Sequence, residues 1–298
     1  MLISVCMCTY KRPHLSHTLH SISELQLLKG IELEVIVIDN DEELSGRSIV
    51  EDIKIGYPHK LSYYSETEKN ISVARNAYLK VAMGEWIASL DDDEIADQYW
   101  LSYLLETANK FNADVVFGQV KNLYPADAEE WLIKGGFFDR TVRDTGTQVS
   151  SGGTGCTLIK SQALKDTGYN FDKSFGLTGG EDAQLFHRLN NAGYKLVYCK
   201  EAFVTELVEE NRINKKYLIQ RAIRIGETYS RYRFPKGTKD KVPLHILKTG
   251  TKFFYWGLLA LVYLPQGEHK SFKYRLKMLD CFGKIKFFFN TKAIELYR

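Results

Sequence analysis

The chain has 298 residues, 44% of them hydrophobic, which is ordinary for a globular protein and enough for one large domain with an appendage or two modest domains. Its net charge of +3 conceals a division: residues 211–298 carry 20 Lys or Arg against 5 Asp or Glu, whereas residues 1–210 carry 20 against 32, so the tail is expected to meet a polyanion, either an acidic membrane surface or nucleic acid. Five cysteines, odd in number and without Cys-x-x-Cys spacing, exclude a disulfide framework and point to a reducing compartment.

The chain opens directly on MLISVCMCTY with no basic stretch leading a long apolar one, so a signal peptide is not expected and the topology is read as cytosolic. Residues 2–8 form a β-prone run ending at Thr9-Tyr10-Lys11-Arg12-Pro13, and apolar residues then recur at helical spacing from Leu15 to Leu28. LEVIVIDND at 33–41 is a second apolar run, and its continuity predicts a parallel sheet covered on both faces. KLSYYSE reads as a strand, ISVARNAYLKVAMG as a helix closed by Gly84, EWIASL as a buried strand, Ile95–Phe111 as an amphipathic helix and ADVVFGQV as another strand. Beyond about residue 120 the pattern turns to mixed α+β, with a Gly-rich passage SSGGTGCTLIK, a helix in GGEDAQLFHRLNNAGYKL and the strand-like LVYCKEAFV. From Lys215 onward the chain is basic, aromatic and helical.

A βαβα series of this kind is an α/β nucleotide-binding layout, with ligands at the carboxyl ends of the strands. Thr9–Arg12, Asp39–Asp41 and Asp91–Asp93 all fall just past strand ends, on one expected rim. Three adjacent aspartates read most simply as a solvated turn or helix N-cap, the alternative being a divalent cation held through one or two carboxylates. The first strand ends in TYKRP with no G-x-G-x-x-G, which removes the phosphate-binding turn of a dehydrogenase.

The ordered blocks ISVCMCTYKRP, VIVIDND, NISVARNAYLKVAMGEWIASLDDDE and GGEDAQLFHRL resemble family 2 glycosyltransferases over roughly residues 2–210. The resemblance implies a GT-A fold, Rossmann-like with a mostly parallel sheet and helices on both faces. It implies a catalytic domain at 1–214, divided into a nucleotide-binding half (1–120) and an acceptor-binding half (121–214). It also implies a UDP-sugar donor, Mn²⁺ or Mg²⁺ as cofactor, and an enzyme adding one sugar to a lipid-linked acceptor in bacterial exopolysaccharide, capsule or O-antigen synthesis.

By the same resemblance Thr9, Tyr10 and Arg12 pack against the nucleotide. Asp39, with Asp41 as an alternative, accepts from the uracil imide, as a carboxylate can. Arg75 and Asn76 lie near uridine and diphosphate. Asp93 is the direct metal ligand, Asp91 contacts ribose or the metal's water, and Asp92 shares either task. Asp182 is the general base of an inverting transfer and Glu181 orients it or binds acceptor, although an acidic pair also complements a helix dipole. Gly152, Gly153 and Gly155 resemble the floor under the donor sugar, or form a plain turn. Where many relatives carry a His, Thr205-Glu206 stands here, which leaves Glu206 as a substitute. IQRAIRIG lacks the Gln-x-x-Arg-Trp of processive synthases, which implies transfer of a single residue.

The apolar run at 252–265 is too short to cross a bilayer. In the tail, 215–298, it is expected either as an interfacial helix on an anionic membrane or as a helix buried against the catalytic domain or across a homodimer. Arg221, Arg224, Arg231 and Arg233 are expected either to reach the diphosphate of a polyprenyl-linked acceptor or to be simple surface charge. Nucleic acid is not an expected partner, because it leaves the ordered acidic motifs without a role. The expected location is the cytoplasmic face of the inner membrane. A catalytically inactive nucleotide-sugar-binding or scaffold protein is the competing reading.

Overall fold

In the computed structural model, residues 1–235 and 241–289 are described, and the parts of the expected tail at 236–240 and 290–298 lie outside them. The two longest apolar runs become the buried strands β1 (Leu2–Thr9) and β2 (Glu32–Asp39), joined through α1 (Leu15–Ser23). A second crossover, α2 (Arg47–Lys54), leads to the edge strand β3 (Lys60–Ser65), and a third, α3 (Ile71–Val81), leads to β4 (Trp86–Ser89). These four strands are parallel in the order β3-β2-β1-β4, as uninterrupted apolar segments linked by helices require.

The second half makes the sheet mixed. β6 (Val115–Leu123), β7 (Thr157–Lys160) and β8 (Leu196–Leu207) extend it, with β7 antiparallel to both β4 and β6 and with β8 parallel to β6. With the short strand β5 (Glu94–Ala96) the full order is β3-β2-β1-β4-β7-β6-β8-β5, with four parallel and three antiparallel pairings. The helix expected from Ile95 begins only at Trp100, as α4 (Trp100–Phe111), because Glu94–Ala96 forms β5 against β8. Glu94 and Ala96 are buried and Ile95 is exposed, the period-2 alternation of a strand. Gly84 does not close α3, which ends at Val81; its N–H donates to Ser4 Oγ.

Apolar side chains fill the two faces of the sheet as separate cores, one holding Leu15, Leu19, Trp100 and Leu104, the other Tyr78, Phe171, Leu185 and Phe186. Around the second half lie α5 (Glu130–Gly135), α6 (Ser161–Thr167) and α7 (Glu181–Asn191), followed by α8 (Lys215–Arg233), α9 (Val242–Val262) and α10 (Glu268–Lys286). α10 packs between α8 and α9. Gly226 and Gly283 permit that approach: a Cβ on Gly226 would overlap the Asp280 carbonyl, and one on Gly283 the Ile223 carbonyl. No described helix is long and apolar enough to cross a membrane.

Candidate active site

At the carboxyl ends of β1 and β4 the chain leaves the sheet as Thr9–Arg12 and Asp91–Asp93, and both loops line a cleft of about 930 Å³. The opposite wall comes from the Gly179–Ala183 segment opening α7, from Glu206 at the end of β8, and from one face of α8. Gly180 precedes α7 with φ +94°, and a side chain there would strike Thr228 of α8. That close approach brings the acidic pair at the helix start beside the basic face of α8.

Two chains of alternating charge border the cleft. In the first, the buried guanidinium of Arg75 donates to Glu181 Oε1 and, at 3.3 Å, to Asp91 Oδ1. Burial pushes the Glu181 carboxyl up to about 7, with the Arg75 charge pulling the other way. In the second, Arg12 lies 3.5 Å from Asp93 and 4.0 Å from Asp92 and also pairs with Glu209. Glu209 continues to Arg212 at 3.0 Å, Arg212 to Glu206 at 3.3 Å, and Glu206 to Arg140 at 3.8 Å.

The aspartate loop is held from beneath by Glu94, which is wholly buried. Its Oε2 accepts from the Asp91 N–H at 2.8 Å, and burial raises its carboxyl well above the usual range. Asp92 is also buried, its Oδ2 makes no hydrogen bond of standard geometry, and burial pushes it up to about 7. Asp93 is raised by burial first and by Asp91 second. Asp182, in the first turn of α7, lines the cleft with Oδ1 accepting from the Ala183 N–H at 2.6 Å.

Thr9, Tyr10, Arg12, Arg75, Asp91, Asp92, Asp93, Gly152, Gly153, Glu181, Asp182, Glu206, Arg221 and Arg224 therefore converge on one cleft, whereas Gly155 is not on its lining. Three other candidates also stay out of it. Asp39 is fully buried and accepts from the N–H groups of Asp41 (3.0 Å) and Gly46 (2.8 Å) and from the Tyr63 hydroxyl (2.8 Å). Asp41 is buried near Lys11, and between the two acids it is Asn40 that borders the cleft. Asn76 clasps Phe171, donating to its carbonyl at 2.8 Å and accepting from its N–H at 2.9 Å.

Sequence reading missed Glu94, Arg140, Glu209 and Arg212. Glu94 had a signal, a fourth acid directly after the triplet, but Arg140 sits in an irregular segment with no periodicity to mark it. On α8, Arg221 donates to the Phe137 carbonyl at 3.1 Å and stacks 5.3 Å from the Phe138 ring, and Arg224 donates to the Thr178 carbonyl at 3.4 Å while its Nε is buried without a partner. Neither forms an ion pair among the described residues.

An acidic rim at the strand ends of an open mixed sheet is the architecture of the GT-A glycosyltransferases, and the sequence comparison agrees. Residues 4–168 match the model of glycosyl transferase family 2, and the chain belongs to that family. The succinoglycan biosynthesis protein ExoM of Rhizobium meliloti (strain 1021) is 32% identical over 295 residues, covering 99% of this chain and 95% of its own. The mannosyltransferase PcManGT from Pyrobaculum calidifontis, solved with GDP-Man and Mn²⁺, has a TM-score of 0.69 at 17% identity and covers 97% of this chain and 88% of its own. S. aureus TarS 1–349, solved with UDP-GlcNAc, has a TM-score of 0.55 at 16% identity over 96% of this chain and 90% of its own. The two solved structures share the fold, and the family and fold that the sequence motifs imply are borne out.

Proposed function

We propose that the protein transfers one sugar from a UDP-sugar to a lipid-linked saccharide, with inversion at the anomeric carbon, in the assembly of a bacterial surface polysaccharide. The observation that carries this reading is the joint placement of the aspartate loop, the Arg75–Glu181 pair and Asp182 around one cleft. The UDP-GlcNAc held by TarS and the biosynthetic role of ExoM support the donor and the pathway class.

The donor set suits Mn²⁺ or Mg²⁺. Asp91 and Asp93 offer hard carboxylate oxygens on the cleft wall, and beside them Asp92 Oδ2 is buried without a hydrogen bond of standard geometry. Such an open site matches cations that bind through one or two carboxylates and complete their shell with substrate phosphates. Asp93 and Asp91 would hold the ion; when bound it neutralises charge on the departing diphosphate. The Mn²⁺ beside GDP-Man in PcManGT supports this assignment.

In the transfer itself the acceptor hydroxyl oxygen bonds to the anomeric carbon as the bond from that carbon to the diphosphate oxygen breaks. Asp182 takes the hydroxyl proton, and UDP leaves with the electron pair. Arg75, fixed between Asp91 and Glu181, keeps the donor loop and the base-bearing helix in register. Arg221 and Arg224, cationic and without a carboxylate partner among the described residues, suit the diphosphate of a lipid-linked acceptor. The water-soluble donor and lipid-borne acceptor would meet at the cytoplasmic face of the inner membrane.

The test is a panel of UDP-sugars with Mn²⁺ or Mg²⁺ and a lipid extract of the source cells, following sugar incorporation into lipid and UDP affinity by calorimetry. Incorporation into lipid is the expected result. UDP binding without any transfer would leave a nucleotide-sugar-binding protein, and no UDP binding with or without Mn²⁺ would overturn the reading altogether.

A further inference from the structure

One face of α9 is apolar and uncovered. Leu244, Leu247, Phe254, Leu258 and Leu261 recur at intervals of three, four or seven residues, hence along one stripe of the helix, and they are 56%, 65%, 74%, 60% and 65% exposed. Tyr255 and Val262 widen the stripe at 54% each. Isolated exposed hydrophobics need no explanation, but a continuous stripe running the length of a 21-residue helix does. The opposite side of α9 is already committed to α10: Trp256 stacks on Tyr274, and Ser271 Oγ donates to the Ala260 carbonyl.

Charge around the stripe selects its occupant. α9 contains no Asp or Glu, and Lys248 and Lys252, one turn apart and both exposed, border the stripe on the side of Tyr255. On the α10 side Lys277 lies over the Trp256 ring at 4.4 Å, and Lys273 and Arg275 of α10 are exposed, so the helix pair as a whole is basic. The two acids of α10 are engaged elsewhere, Asp280 with Lys284 and Glu268 with Lys215. A second copy of the stripe would bring equally basic flanks with no acid to receive them. Anionic lipid headgroups supply the missing charge, and acyl chains the apolar contact.

We infer that α9 docks flat on an anionic bilayer, its Leu244–Leu261 stripe in the acyl boundary and Lys248 and Lys252 at the headgroups. The helix lies along the surface, since its other side is fastened to α10 and it is not apolar enough to span. This inference does not depend on which sugar or acceptor the cleft takes.

The experiment uses the full chain with phosphatidylcholine vesicles, with or without phosphatidylglycerol, in a co-sedimentation assay at low and high salt. Binding is expected to the phosphatidylglycerol vesicles and to weaken with salt. The triple variant Leu247→Glu/Phe254→Glu/Leu258→Glu is expected to bind them on the order of 100-fold more weakly, with circular dichroism and UDP affinity unchanged. Lys248→Ser/Lys252→Ser, which leaves the stripe intact, is expected to lose about 30-fold together with much of the salt dependence. Undiminished binding by the triple variant would overturn the inference. So would a wild-type chain that ignores anionic vesicles but sediments as a dimer that the triple variant splits.

Discussion

Arg75 of α3 and Glu181 of α7, 106 positions apart, meet as a buried ion pair, and the same guanidinium reaches Asp91 at 3.3 Å. One side chain thus ties the loop after β4 to the helix that carries the general-base candidate. A buried charge stripped of its partner is costly, about 3–5 kcal/mol, whereas replacing both members by apolar groups is far less so. Glu181→Met, which leaves the guanidinium with Asp91 alone, is therefore expected to lower thermal stability by up to that amount, and Arg75→Met/Glu181→Met to recover much of the loss. Thermal unfolding of the three proteins checks this; a double variant less stable than the single one would show that the pair does not act as a unit.

Asp182→Asn retains the shape of the side chain and removes its ability to accept a proton. Sugar transfer is expected to fall by ~10²–10⁴ while UDP affinity measured by calorimetry is kept. Unchanged turnover would remove Asp182 from the role of base.

Asn76 is expected to behave as a structural residue. Its amide satisfies both backbone groups of Phe171, so Asn76→Ala leaves a buried N–H and carbonyl unpaired and is expected to cost about 1–3 kcal/mol. Donor KM should stay near the wild-type value. A large rise in KM at unaltered stability would restore Asn76 to the nucleotide site.

Asp92 gives the fold a pH dependence of defined sign. Burial lifts its carboxyl from an ordinary 3.8 to about 7, so between those values the folded chain holds a proton that the unfolded chain has released. Its contribution to stability is present at low pH and is lost as pH rises through that window. Melting temperatures of the unliganded protein are expected to decline across it, and Asp92→Asn, which cannot titrate there, is expected to flatten the decline. A variant whose melting curve keeps the full wild-type slope would show that other groups set the trend.

The first half of the sheet was legible because uninterrupted apolar runs such as VIVID have few structural alternatives once helices separate them. The Asp91–Asp93 and Glu181–Asp182 motifs were legible because short motifs on strand ends and helix starts carry their own geometry. Where reading failed, tertiary pairing had overridden local pattern. Ile95 fitted the helical period of the residues after it, yet β8 recruits Glu94–Ala96 as a strand. Asp39 and Asp41 are candidates through the family resemblance, yet both are buried and off the lining of the cleft, and only a three-dimensional partner such as Tyr63 of Asp39 reveals it. The cation partners of the rim, Arg140 and Arg212, come from an irregular segment and a single 3-10 turn whose positions depend on long-range closure of the whole sheet.

The glycines that let α8 and α10 touch backbone to backbone give the molecule a fixed gauge. Because α10 packs against both α8 and α9, it sets the height of the arginine-bearing helix above the exposed stripe. With α9 seated on a bilayer, that height would be set by main-chain contact instead of by compliant side chains. The working end of the enzyme would then ride at one elevation, and an acceptor's glycan would have to be long enough, or its lipid lifted far enough, to span the gap.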